Sequence, residues 1–335
     1  MHLNNLLPLL IYKFKSESDL IKAIEELSLK FTQKREQISD YLKDERLTSA
    51  YTAFYLTTNM PKLEAVFKWM PEAWLAQIKN STFIDVGAGP GTFSLAFREW
   101  AEVPVKVMQI ETSPVMREQA KRIWEGLYPD EKLLLKPEGE TFLFFGHSAN
   151  EMGVEAALRY VKEYNPDHIL FIEPGTKEFF PQMLKIREGL LRYGFNILFP
   201  CPTAEECPLK DSSTDWCHQF IQVRQESDVE RLSQIVKKDR RNLPLTVHAF
   251  SKSFSIVNPT SRVVRVFPET KFSYEWESCE LNQIEHYQIM KRGLTKDAHV
   301  LLSEALAGAA LEIEVEKVLE TSKRVKIKSL NKHSL

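Results

Sequence analysis

The sequence of 335 residues has no excess of charge of either sign: 44 Lys and Arg stand against 46 Asp and Glu, a formal net charge of -2. Without a global positive field, any contact with nucleic acid must come from local patches. Long apolar runs are missing too. The N-terminal Leu6-Leu7-Pro8-Leu9-Leu10-Ile11 is too short to cross a bilayer, is interrupted by Pro8, and has neither a basic leader nor a small-residue cleavage site. A cytoplasmic protein without a membrane partner is expected. Cysteine is scarce, with four in all. In a reducing compartment four thiols are poor disulfide candidates, and their spacing is judged for metal binding instead.

What is present suffices for a full core, since 43% of the residues are hydrophobic. Residues 16 to 78 carry helical periodicity, in Leu20, Ala23, Ile24, Leu27 and Phe31 and again through Tyr51, Phe54, Tyr55, Leu63, Val66 and Phe67. Pro61 and Pro71 divide the second run into short helices, and the aromatic residues read as core rather than as stacking platforms. From 82 to 200, strands expected at 83–87, 106–111, 141–146, 168–173 and 195–199 alternate with helices near 92–100, 114–125, 151–163 and 178–193. That is the βαβ pattern of a doubly wound parallel sheet. Ligands of such sheets lie beyond the carboxyl ends of the strands, which directs attention to the residues just after each strand.

The first of these ends is Phe83-Ile84-Asp85-Val86-Gly87-Ala88-Gly89-Pro90-Gly91-Thr92-Phe93, a buried-type strand, a glycine turn and a helix start. Glycines at alternate positions let the backbone bend tightly against a ligand. A dinucleotide turn follows G-x-G-x-x-G, whereas here the third glycine comes one position early and Asp85 precedes the turn. The D-x-G-x-G-x-G form resembles the first motif of class I S-adenosylmethionine (SAM) dependent methyltransferases. In that family the turn passes under the methionine and ribose of SAM, and an acidic residue ending the next strand holds the ribose hydroxyls. Lys106 to Glu111 supplies that strand and Glu111 that carboxylate, an acceptor able to take two O–H donors. The alternative is a plain strand–helix connection. The cofactor-binding expectation is therefore Asp85, Gly87, Gly89, Gly91 and Glu111. Asn150, after the third expected strand, is added for the methionine end, with helix capping before Val154 as its structural alternative.

The cysteines form the second signal. Cys201-Pro202-Thr203-Ala204-Glu205-Glu206-Cys207-Pro208 and Asp215-Trp216-Cys217-His218 place three thiols within seventeen residues, and Cys279 is the fourth. Four thiolates satisfy either a tetrahedral zinc or a [4Fe–4S] cluster. The C-x5-C-x9-C spacing is neither a paired zinc ribbon nor a radical-SAM motif, and buried free cysteines are the structural alternative. Spacing alone favours zinc.

Taken together, F-I-D-V-G-A-G-P-G-T (83–92), I-E-P-G-T (172–176), P-C-P-x4-C-P-L (200–209), D-W-C-H (215–218) and R-V-V-R-V (262–266) with Cys279 resemble the methyltransferase-like family associated with the small ribosomal subunit, which has bacterial and mitochondrial members. The resemblance runs over residues 45 to 293. It implies an α/β, class I SAM-dependent methyltransferase fold, Rossmann-like, with a [4Fe–4S] cluster on Cys201, Cys207, Cys217 and Cys279, zinc being the other candidate. It also implies the small ribosomal subunit or its rRNA as partner, with DNA not expected. The segment 243–254 departs from the family pattern, with Thr246 and His248 where acidic residues are usual.

The organisation expected is an N-terminal helical domain (1–78), a SAM-binding Rossmann-like domain (79–200), a cysteine-cluster and strand region as a C-terminal insertion (201–294), and a C-terminal helix with a basic tail (295–335). The helix is expected from about 297 to 320, capped by Thr295 or Asp297, with Leu301, Leu302, Ala305 and Leu306 inward. Arg224, Arg231, Lys237, Lys238, Arg240 and Arg241, and Lys323, Arg324, Lys326, Lys328 and Lys332 in the tail, are the cations available to RNA; a solvated face is the alternative for both groups. No tetrad for exocyclic-amine methylation follows the expected strands, and no catalytic residue is readable. The functional expectation is rRNA methylation or assistance of subunit assembly. A non-catalytic assembly factor with SAM and cluster as structural or sensory ligands, and a small-molecule or protein methyltransferase with a structural zinc, are the alternatives.

Overall fold

A computed structural model describes residues 1–33, 43–254, 262–281, 283–296, 298–299, 302, 312–319 and 322–329. The chain divides into two compact units. One comprises Met1–Ala65, Ile78–Ser148 and Gln222–Leu243, and the other Val66–Gln77, Ala149–Ile221 and Pro244–Leu335.

After short helical turns at Leu3–Leu6 and Leu7–Leu9, the first unit has α1 (Glu17–Gln33), whose Leu20, Ala23, Ile24 and Leu27 are buried at helical spacing. Next comes α2 (Glu45–Tyr51), started by Asp44, whose carboxylate accepts from the Arg46 and Leu47 N–H groups. A π-helical turn, Thr52–Leu56, then shifts the register of the helix and brings Tyr51 and Tyr55 into contact with Phe31, with ring centroids 6.2 and 5.2 Å away. Pro61 begins α3 (Pro61–Phe67), and α4 (Glu72–Asn80), most of which belongs to the second unit, follows Pro71. The two prolines punctuate the helices as expected.

Three parallel strands follow, in the order β2-β1-β3: β1 (Thr82–Val86), β2 (Val107–Ile110) and β3 (Thr141–Gly146). Every residue of β1 is buried, as a strand covered on both faces requires. Between the strands run α5 (Thr92–Ala101) and α6 (Pro114–Leu127), the latter capped by the Ser113 hydroxyl accepting from Met116 N–H.

In the second unit α7 (Ala149–Tyr164), β4 (His168–Pro174), α8 (Phe180–Arg192) and β5 (Asn196–Phe199) continue the alternation. Then β6 (Gln219–Gln222) and, after α9 (Ser227–Ile235) of the first unit, β7 (Asn242–Ser251) follow. β7 lies between β4 and β5 and runs antiparallel to both, so the Rossmann-like arrangement is mixed rather than wholly parallel.

A separate five-stranded sheet has the order β11-β12-β10-β9-β8: β8 (Arg262–Val266), β9 (Ser273–Glu280), β10 (Gln283–Met290), β11 (Glu312–Val318) and β12 (Lys323–Ser329). Its core is Val263, Tyr274, Trp276, Tyr287, Ile289, Leu302 and Val325. The expected C-terminal helix is shortened here: 298, 299 and 302 are helical, but residues 312–318 are a strand; 297, 300, 301, 303–311 and 320 lie outside the described residues. The basic tail is corrected too. Lys323 and Arg324 lie in β12, Lys323 pairing with Glu285 at 3.0 Å, and Lys326 of the same strand pairs with Glu316 at 2.7 Å.

Candidate functional site

In the first unit β1 delivers the chain into the glycine turn. Gly87, Gly89 and Gly91 adopt φ of 72°, 54° and 85°, left-handed backbone that costs a residue with a Cβ about 1–2 kcal/mol. Two of the three also lack room: a Cβ on Gly87 would lie 2.5 Å from Ser148 Cβ, and one on Gly91 2.9 Å from Gln109 Nε2. Gly89 differs. A Cβ there would meet nothing within 4 Å, so the middle of the turn presents bare backbone to open space, where a ligand can approach closely.

Glu111, just past β2, reaches back to this turn. Its Oε2 accepts from Gly89 N–H at 2.8 Å and its Oε1 from Ser113 N–H at 2.8 Å. Arg117 braces the same corner by donating to the carbonyls of Glu111 and Thr112 at 2.8 and 2.9 Å. Oε2 retains a lone pair, while the second on Oε1 meets the Thr112 hydroxyl only at 3.5 Å, so an acceptor with spare capacity is fixed beside the open backbone.

Asp85 is buried, and its bonds go to α5: Oδ2 accepts from Ser94 N–H at 3.0 Å and from the Ser94 hydroxyl at 2.8 Å. Burial pushes its carboxyl up to about 7, with the Ser94 bonds opposing and Glu111 adding to the rise. Between the ordinary carboxylate range and that value the unfolded chain has lost the proton while the folded chain keeps it, so stability falls as pH rises through the window. The expected slope is at most about 1.4 kcal/mol per pH unit. Asp85→Asn should flatten it, and urea unfolding at the two ends of the window measures the difference; an equal slope in wild type and variant would remove the assignment to Asp85.

Sequence reasoning did not foresee a cationic cluster at the end of β3. Lys62, on α3, places Nζ 2.7 Å from His147 Nε2. Arg240, after α9, donates through Nη2 to Asn59 Oδ1 at 3.0 Å and lies over the Tyr55 ring at 5.5 Å. Burial, then Lys62, then Arg240 hold the His147 imidazole well below its ordinary pKa. A neutral ring accepting from an ammonium uses its Nε2 lone pair and carries its proton on Nδ1. These residues come from three distant segments without a motif, and only the position of His147 after a strand was a signal.

Asn150 belongs to the second unit, in the first turn of α7. Glu173 caps this turn: its Oε1 accepts from Ala149 N–H at 2.9 Å and its Oε2 from Asn150 N–H at 3.3 Å.

The four cysteines all lie in the second unit and are partly buried free thiols. Cys201 follows β5, Cys207 and Cys217 lie in the loop before β6, and Cys279 is in β9. Burial, then Cys201, Cys207 and Cys279, hold the Cys217 thiol well above its ordinary value. Burial pushes Cys279 up to about 12, with Cys201 and Cys207 adding to it. Burial likewise pushes Cys207 up to about 11, with Cys201 contributing. The four are thus near enough to feel one another's charge, although among the described residues no three His, Cys, Asp or Glu side chains are gathered as a single-ion site.

Two buried arginines stand beside them. Arg187, from α8, donates through Nη2 to the carbonyls of Thr203 and Glu205 at 2.9 and 2.7 Å, which clamps the loop between Cys201 and Cys207; its Nε has no partner among the described residues. Arg262 faces Cys279 across the β8–β9 register and lies 4.9 Å from the Phe199 ring. Burial lowers the Arg262 guanidinium to about 10, against the pull of Cys201, Cys279 and Cys217. Arg187, whose bonds go to neutral carbonyls, is a buried guanidinium that needs negative charge nearby, and neutral thiols do not supply it. A metal group that takes the sulfurs as thiolates does, so the residues present fit such a group.

The motif residues around the thiols also pack on one another. Arg265 pairs with Asp215, and with Glu277 at 3.4 Å, while Trp216 Nε1 donates to Gly175 O at 3.0 Å. A Cβ on Gly175 would lie 2.8 Å from both Pro244 C and Leu245 N, so I-E-P-G-T meets the Leu-Pro start of segment 243–254 with no space for a side chain. Thr246 and His248 are buried on β7, and burial, with Arg187 next, lowers the His248 imidazole to about 3.

Among the described residues no helix is long and apolar enough to cross a membrane. No curated protein matches the sequence. Among solved structures the chain is similar to a SAM-dependent methyltransferase from Aquifex aeolicus, at 15% identity and TM-score 0.32 over 58% of this chain and 98% of that one. It is similar also to precorrin-6y C5,15-methyltransferase from Geobacter metallireducens, at 13% and 0.33 over 54% and 87%. A third is M. jannaschii TYW2 in complex with AdoMet, at 10% and 0.31 over 57% and 76%. At TM-scores this low the likenesses carry no argument, and the fold rests on the strands themselves. Residues 149–303, just under half of the chain, match the model of the family described as mitochondrial small ribosomal subunit Rsm22.

Proposed function

We propose that this protein binds SAM at the glycine turn, holds a [4Fe–4S] cluster on Cys201, Cys207, Cys217 and Cys279, and acts on the small ribosomal subunit by methylating its rRNA or assisting its assembly. The observation that carries the reading is the turn: three left-handed glycines with open space over Gly89, and the Glu111 carboxylate fixed beside it at 2.8 Å. SAM, when bound, supplies an electrophilic methyl group. The part of the chain is to place it. Glu111 takes the ribose hydroxyls on its remaining lone pairs, and the bare backbone at Gly89 admits the methionine side. Gln109 Nε2, buried beneath Gly91 and without a partner among the described residues, is a spare donor there.

For the thiols, a single zinc takes all four sulfurs on one ion, whereas a four-iron cluster takes each on its own iron. Thiols that sense one another without being gathered as a single-ion site suit the cluster better, with zinc as the other candidate. The cytoplasm is the expected place of action, and the mitochondrial description of the family makes the organelle the other.

A specific observation favours assembly without chemistry. Transfer to an acceptor that carries a proton needs a base within reach, and His147, at the end of β3, has its Nε2 lone pair taken by Lys62 at 2.7 Å. Here SAM and the cluster would act as structural or sensory ligands. Anaerobic purification with iron, sulfide and zinc analysis, followed on the same sample by SAM titration and tritiated-methyl transfer to immature small subunits, tests the whole reading. Brown protein with iron and sulfide, and saturable SAM binding, are expected. Zinc without iron would overturn the cluster, absence of SAM binding would overturn the pocket, and SAM binding without transfer would leave the assembly role alone.

A further inference from the structure

In the first unit the chain between the end of α9 and β7 walls a cavity of about 250 Å³ that neither the glycine turn nor the cysteines use. Its lining includes Gln225, Ser233, Lys237, Lys238 and Arg240. Two acids, Glu230 and Asp239, also line it, but both are engaged by Arg241, at 3.3 and 3.0 Å. Lys237, Lys238 and Arg240 have no carboxylate partner among the described residues. Arg240 is partly buried, with its partners the neutral Asn59 amide and the Tyr55 ring. Three uncompensated cations around one cavity call for an anion.

An anion alone does not complete the site. Gln225 Oε1, Ser233 Oγ and Arg240 Nε are buried with no hydrogen-bond partner among the described residues, and the Ser233 side chain is more than nine-tenths buried. Buried polar atoms are nearly always paired, so three together in the wall of one cavity mark a ligand position. Gln225 Oε1 accepts only, Arg240 Nε donates only, and the Ser233 hydroxyl does either. The occupant therefore carries hydrogen-bond donors as well as anionic oxygens. A nucleotide has that combination: phosphate oxygens for the lysines, and hydroxyl and base edges for the inner polar atoms.

We propose that this cavity holds one nucleotide of a single-stranded RNA, with its phosphate at Lys237 and Lys238 and its sugar and base edges toward Gln225, Ser233 and Arg240. RNA, rather than a free nucleotide, as the source rests on the small-subunit reading; the cavity and its unpaired atoms do not. Lys237 sharpens the assignment. It adopts φ 54° just after α9, with Lys238 N–H donating to Ser233 O at 2.9 Å. Glycine is the residue that fits such a helix end, yet a lysine stands there and brings an ammonium to the cavity.

The test uses the full-length chain without added SAM, and a short fluorescein-labelled single-stranded RNA titrated across salt concentrations. Lys237→Gly combined with Lys238→Ala should weaken binding about tenfold or more and make the salt dependence shallower, by about 0.7 in log–log slope for each phosphate that is no longer neutralised. Lys237→Gly alone should weaken binding while leaving the unfolding midpoint unchanged or higher, which a merely structural lysine would not do. Ser233→Val should weaken binding without changing the salt slope. Unchanged affinity and slope in the lysine variants would overturn the proposal. So would saturable binding of a nucleoside monophosphate without binding of the RNA. A SAM titration on the same sample keeps the two readings apart, because loss of SAM binding with RNA binding intact overturns the methyltransferase-like reading and leaves this one standing.

Discussion

Gly89→Arg should abolish SAM binding, lowering affinity by about 100-fold or more, about 2.7 kcal/mol, while the protein still folds. The middle glycine is the one to replace because of its surroundings. At Gly87 any side chain collides with Ser148 and at Gly91 with Gln109, so those variants confuse loss of ligand with loss of structure. At Gly89 the side chain enters open space, and the cost to the fold is the left-handed backbone, about 1–2 kcal/mol. Gly89→Ala is the control: it carries the same backbone strain with a single methyl group, and its SAM affinity should fall far less. Isothermal titration with SAM and thermal unfolding of both variants decide the matter. If Gly89→Arg binds SAM like wild type, the open space over the turn is not the ligand site, and Glu111 is only a capping residue for its corner. Glu111→Gln offers a second measure on the same pocket, since it keeps an acceptor oxygen but loses the charge.

Much of this site was legible because the signals were local. Glycine at alternate positions between a buried strand and a helix has few explanations besides backbone that must turn left-handed, and all three glycines do so. The strands flanking the turn lie within a residue or two of their expected bounds, for apolar runs of that length fix a covered parallel strand. What sequence could not convey was the destination of each polar side chain. Asp85 turns to Ser94 on α5, and Glu111 is tied to Gly89 N–H, bonds that depend on the packing of β1, β2 and α5. Lys62, His147 and Arg240 meet only because three segments converge, and no spacing rule links them.

The C-terminal error has a different cause. Leu301, Leu302, Ala305 and Leu306 carry a helical period, and extending that period through Glu312-Ile313-Glu314-Val315-Glu316-Lys317-Val318 overruns it. That last stretch alternates polar and apolar residues, the period of a strand, and β11 occupies it. The cations of the tail alternate in the same way, and in β12 Val325 is buried while Lys326 is exposed opposite Glu314. Charge in this segment follows sheet geometry before it follows any partner.

Stripping the thiol-bound metal group should lower the unfolding midpoint sharply in the wild-type chain and much less in Arg187→Met. With the sulfurs ligated as thiolates, Arg187 lies next to negative charge; with neutral thiols it is a buried cation whose bonds go to neutral carbonyls. Breaking a buried charge pair costs about 3–5 kcal/mol, a large part of the stability of an ordinary domain. Arg187 is the one to replace, because its Nε is unpartnered among the described residues and its two other bonds, to Thr203 O and Glu205 O, are worth about 1 kcal/mol each. In the metal-loaded protein Arg187→Met loses those bonds and the attraction, so it is destabilised. In the stripped protein the same substitution removes an uncompensated charge, and stability should be unchanged or higher. Cys217→Ser, which removes the thiol that feels all three others, should reproduce the stripped state without a chelator. Thermal unfolding of wild type, Arg187→Met, Cys217→Ser and the double variant, each with its metal content measured, forms the cycle. Equal losses on stripping in wild type and Arg187→Met would mean that the guanidinium does not answer to the thiolates, and the charge argument for a metal group at these four cysteines would fall with it.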